Sequence, residues 1–154
     1  MSRFLRRPSS TLLPVLLLAI GVVAWQHVFH ATFVIKSADS ASTHLWHIAR
    51  DAALALPMAW IAVHVGRTVS TMVRPGSTAG AIVVRAAVTA QIFMVAIMAG
   101  VPFHTKLDQW VGATHVDEGG LLAHAVRDGL IGQAAALPLL IYTFTLMERC
   151  LLYT

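Results

Sequence analysis

Four uninterrupted apolar stretches, each long enough to cross a lipid bilayer, constrain this chain more than any other feature. They run over residues 11–35, 43–66, 78–103 and 121–147. A hydrocarbon core of ~30 Å is crossed by about 20 helical residues, so each stretch suffices for one span. Lipid offers no hydrogen-bond partners, and only helices or closed barrels satisfy their own backbone there. The apolar runs are continuous rather than alternating, which excludes a barrel. The connections are short: 36–42, then 67–77 with the turn signal Arg74-Pro75-Gly76, then 104–120 with Gly119-Gly120 at its end. Short connections place successive helices side by side and antiparallel. The expectation is an all-α membrane protein, a four-helix up-down bundle in which residues 1–154 form a single transmembrane domain.

Composition agrees. Hydrophobic residues make up 57% of the 154 and charged residues 12%, where a soluble domain carries about a quarter charged residues. The net charge of +4 comes from scattered arginines. No basic stripe interleaved with stacking aromatics is present, so a nucleic-acid partner is excluded. Cys150 is the single cysteine, which rules out an internal disulfide and Cys-rich metal motifs. Arg3, Arg6 and Arg7 ahead of an apolar run resemble a signal peptide, but a cleavable apolar region has roughly 7–15 residues. Here it continues to Phe33, Val34 and Ile35, as expected of a retained first helix.

Basic residues flanking the spans orient the bundle. Arg3, Arg6, Arg7, Arg67, Arg74 and Arg149 fall at one end, with Arg85 a turn or two inside it; the other end has Lys36 and Lys106. The arginine-rich end is expected in the cytoplasm, with both termini. This makes a multi-pass protein of the cell (inner) membrane. Trp46 and Trp110 then belong to the outer interface.

The two halves resemble each other. Phe29-His30 closes the first apolar stretch and Phe103-His104 the third. His47-Ile-Ala-Arg50-Asp51 opens the second helix and His124-Ala-Val-Arg127-Asp128 the fourth. Ala55-Leu56-Pro57 and Ala136-Leu137-Pro138 follow, with an Asp-to-Pro spacing four residues longer in the second half. This pattern suggests two tandem helical hairpins related by a pseudo-twofold axis along the membrane normal.

Histidine is distributed one-sidedly. His27, His30, His44, His47, His104, His115 and His124 all map to the outer half, and only His64 to the inner. His27 and His30 are three apart, His44, His47 and Asp51 follow at three and seven, and His124 and Asp128 are four apart. Such spacings share a helix face. The metal-ligand candidates are therefore His27, His30, His47, Asp51, His104, His124 and Asp128. Imidazoles with a carboxylate suit copper, zinc, iron or nickel. Copper is favoured for a histidine-rich site on the outer face, and Met94 and Met98 extend a soft-ligand path toward Met58. Haem b is the alternative cofactor, held by His27 or His30 against His104 or His124. Covalent haem attachment is excluded, since no Cys-x-x-Cys-His is present.

The same residues also have a purely structural reading. Ionisable groups within a membrane persist when they face the interior and are paired. Arg50 against Asp128 and Arg127 against Asp51 would form a charged clasp across the pseudo-twofold axis. Gln91 and Gln133, mid-span on successive helices, are expected to bond each other. No nucleophile–base pair, phosphate-binding loop or HExxH motif is present, so independent catalysis is not expected. Two further classes of function remain beside a small metal-binding protein or the metal-binding subunit of an oxidoreductase assembly. One is a non-catalytic structural subunit, packed against other membrane subunits or copies of itself. The other is a b-type haem electron carrier.

Overall fold

The computed structural model describes residues 9–33, 41–73, 77–111 and 120–152, with side chains over 11–29, 45–73, 77–111 and 120–150. The described residues form four helices, α1 (Ser9–Phe33), α2 (Ala41–Ser70), α3 (Thr78–Trp110) and α4 (Gly120–Leu152), and no strands. Each is long and apolar enough to cross a membrane. Helix α1 packs on α2 and α4, α2 on α3, and α3 on α4, which closes a four-helix ring.

The core is built largely from small residues. Val15, Leu18, Ala19, Val22 and Val23 of α1 meet Ala55, Ala59, Ala62 and Val63 of α2, Ala86, Ala90 and Phe93 of α3, and Ala136, Leu140 and Phe144 of α4. Alanine and glycine at helix contacts let backbones approach closely, which is how helices gain packing where lipid removes the hydrophobic drive. Gly66 of α2 is the tightest case: a Cβ there would lie 2.9 Å from the Thr89 Cα of α3. The outward faces are equally apolar, and Leu12, Ile20, Val83, Val95 and Leu130 are each at least half exposed. A surface of this kind is suited to hydrocarbon rather than water.

Ser77 caps α3. Its extended backbone (φ −149°, ψ 159°) turns its hydroxyl oxygen to accept from the Gly80 N–H at 3.1 Å, which satisfies one of the open donors of the first turn. Midway along the seam between α3 and α4, Gln133 Nε2 donates to Gln91 Oε1 at 2.8 Å, the pairing expected of two amides on neighbouring apolar helices.

The helix ends differ from the hydropathy boundaries. Helix α2 continues to Ser70, α4 to Leu152, and α3, with Pro102 inside it, runs seven residues past Phe103 to Trp110. Hydropathy marks where an apolar run ends, whereas a helix continues while its backbone ladder and buried face are supported. Val101, His104, Thr105 and Asp108 are all buried on the last turns of α3, so residues 104–110, expected in a loop, belong to the bundle. The C-cap Val111 closes the helix with its N–H on the Leu107 carbonyl at 3.1 Å.

Candidate metal centre

The antiparallel order brings the last turns of α1 and α3 beside the first turns of α2 and α4. At that end of the bundle, α3 and α4 bring together His104, His124 and Asp128, each buried, with one candidate ligand atom apiece all within 4.8 Å of one another. The His104 and His124 rings lie with centroids 4.9 Å apart at 54°. The four-residue step from His124 to Asp128 puts both on one face of α4, and His124 Nε2 lies 2.9 Å from Asp128 Oδ2. An ionised carboxylate only accepts, so the imidazole N–H donates in this contact. The other carboxylate oxygen, Oδ1, accepts from Arg127 Nε at 3.1 Å. The Arg127 side chain is one-third exposed and Asp128 nearly enclosed.

Ligand atoms that share one ion at 2.0–2.1 Å lie about 3.4–3.6 Å apart in tetrahedral or trigonal geometry, so the widest spacing of this set closes on a common point by about an ångström of side-chain movement. Asp128 has two chemical options toward such an ion. It can ligate directly beside His124 Nε2, or hold Nε2–H and orient the imidazole to ligate through Nδ1.

A second set of polar residues lies at the same end, centred on Arg50 of α2. Arg50 donates to Asp51 Oδ1 through Nε at 2.9 Å and Nη2 at 2.7 Å, and through Nη1 to Asp108 Oδ2 of α3. The Asp108 carboxylate is fully enclosed and also accepts from the Trp46 indole N–H at 3.0 Å. His47 Nε2 lies 3.9 Å from Asp108 Oδ2, and His27 Nε2 of α1 lies 3.2 Å from Asp51 Oδ2. One guanidinium thus ties α2 to α3, and through Asp51 and His27 to α1.

This arrangement corrects the expected cross-pairing. Arg50 does not meet Asp128 in the described contacts, and Arg127 does not meet Asp51. Each arginine binds the aspartate next to it in sequence, and the inter-helix partner of Arg50 is Asp108. The reason is the extra length of α3, which carries Asp108 into the bundle at the level of Arg50. Its signal was present in the sequence. His104 and Asp108 repeat the four-residue step of His47–Asp51 and His124–Asp128, but a boundary drawn from hydropathy at Phe103 left both residues in the loop.

Of the seven ligand candidates, the structure gathers His104, His124 and Asp128 in one group. It places His27, His47 and Asp51 with Arg50 and Asp108. His30 and His44 are on α1 and α2, but their side chains, like His115, Asp117 and Glu118, lie outside the described residues. His64, toward the opposite end, stacks on Trp60 at 4.3 Å and reaches the Trp60 carbonyl through Nδ1 at 3.0 Å. Comparisons with protein-family models, curated proteins and solved structures find no match to this chain.

Proposed function

We propose that this chain is a small integral membrane metal-binding protein, or the metal-binding subunit of a membrane oxidoreductase assembly, and that its ion is copper held by His104, His124 and Asp128. One observation carries the reading: two imidazoles and a carboxylate from two helices are buried together with their ligand atoms within 4.8 Å. Imidazole nitrogen with carboxylate oxygen is a donor set that copper accepts. The arginine distribution supports a bundle whose ligand-bearing end faces away from the cytoplasm, with the outward apolar faces given to lipid or to neighbouring membrane subunits.

The ring geometry favours a bare ion over haem at this pair. A porphyrin has to lie between its two axial imidazoles, and rings in contact at 4.9 Å leave no gap for one. The Arg50 clasp, which joins three helices without any ligand, supports the competing reading as a structural subunit.

Elemental analysis of the purified protein decides between them. After exposure to copper, at least one copper per chain is expected. The His104→Ala/His124→Ala variant should lose one while keeping its helical circular dichroism. A wild-type protein that stays copper-free, or a double variant that retains as much copper as wild type, removes the site and leaves the structural reading.

A further inference from the structure

Beneath the His/Asp group, three methionines are seated in notches left by glycines. Met58 of α2 lies over Gly100 of α3, one turn below His104, with its Sδ 3.5 Å from where a Gly100 Cβ would be. Met98 and Met94 of α3 both lie against Gly129 of α4, the residue after Asp128. A Cβ at Gly129 would be 3.2 Å from Met98 Sδ and 3.3 Å from Met94 Cγ. A side chain larger than hydrogen at 100 or 129 would displace these thioethers. At 1.5 Å per residue, Gly100, Met98 and Met94 lie about 6, 9 and 15 Å below His104 along α3. The Gln91–Gln133 pair follows about 20 Å down.

Thioethers are neutral, soft donors that select Cu(I), and they would carry the ion on without adding charge.

We infer that the ion of the His104–His124–Asp128 group is monovalent copper, and that Met58, Met98 and Met94 form a thioether ladder leading it from that group into the middle of the bundle. This rests on the copper reading above and deepens it. The ion enters and leaves as Cu(I), so no electron changes hands.

The test uses the full-length protein in detergent with Ag(I), a redox-inert ion of the same charge and softness, and with Zn(II). Wild type is expected to retain more than one Ag(I) per chain after gel filtration and to bind Zn(II) at least tenfold more weakly. Met58→Leu/Met94→Leu/Met98→Leu, which conserves volume, should drop to one Ag(I) with its Zn(II) binding unchanged. The ε-methyl resonances of these methionines should shift in the wild type as Ag(I) is added beyond the first equivalent. A triple variant that retains as much Ag(I) as wild type reduces the ladder to packing and leaves the copper site standing. Zn(II) that displaces Ag(I) at equal concentration overturns the monovalent assignment alone. A wild type that retains neither Ag(I) nor copper overturns both readings.

Discussion

Replacing Arg50 with leucine should damage this bundle more than any other single charge removal at that end, and the contacts say by how much. The Arg50 side chain is 6% exposed and serves two carboxylates at once, Asp51 through two nitrogens and Asp108 through a third. Without the guanidinium, Asp108 keeps only the Trp46 indole and a histidine at 3.9 Å among these partners, and Asp51 keeps His27 at 3.2 Å. Leaving buried carboxylates without their cation costs about 3–5 kcal/mol. Asp108→Leu should cost less, about 1–3 kcal/mol, because Arg50 retains its two-pronged hold on Asp51 while Trp46 loses an acceptor. Arg50→Leu/Asp108→Leu removes both charges of the pair, so its loss should fall short of the sum of the singles by about 0.5–3 kcal/mol, the usual coupling of contacting residues. The assay is unfolding of the four proteins in one detergent, followed by circular dichroism. Simply additive losses, or an Asp108→Leu variant more damaged than Arg50→Leu, would refute the clasp as described.

The amide pair at mid-span gives a gentler test: Gln91→Leu and Gln133→Leu should each cost about 0.6 kcal/mol, the average for such bonds between membrane helices. The double variant should be little worse than either single in the same unfolding assay, and equal, additive losses would mean that the amides act separately. For orientation, a cysteine introduced at Thr114 in a Cys150→Ser background is expected to react with a membrane-impermeant thiol reagent from outside intact cells, while one at Ser70 should not. Labelling of Ser70→Cys alone would invert the bundle and turn the metal centre toward the cytoplasm.

What could be read without coordinates followed from solvent physics acting on long windows. Four apolar runs with short connections specify four antiparallel helices, because lipid leaves the backbone no other partner. Helical spacing alone put His124 and Asp128 on one face, and mid-span amides on successive helices had to find each other. Such properties belong to single segments or to neighbours in sequence.

The choice of partners across the bundle was not legible in this way. The arginines of the two similar motifs looked interchangeable, yet Arg50 is buried and spans two helices, while Arg127 is partly exposed and stays on its own helix. The difference arises because α3 carries a carboxylate at 108, one turn beyond His104, whereas the corresponding place after His30 is Val34. Asp108 becomes an interior residue only because Val101, His104 and Thr105 are buried and α3 stays helical beyond the end of its apolar run. Hydropathy along one chain measures the preference of each residue for lipid or water. It is blind to a third environment, the polar interior formed where four helix ends meet, and only tertiary packing decides which side chains enter it.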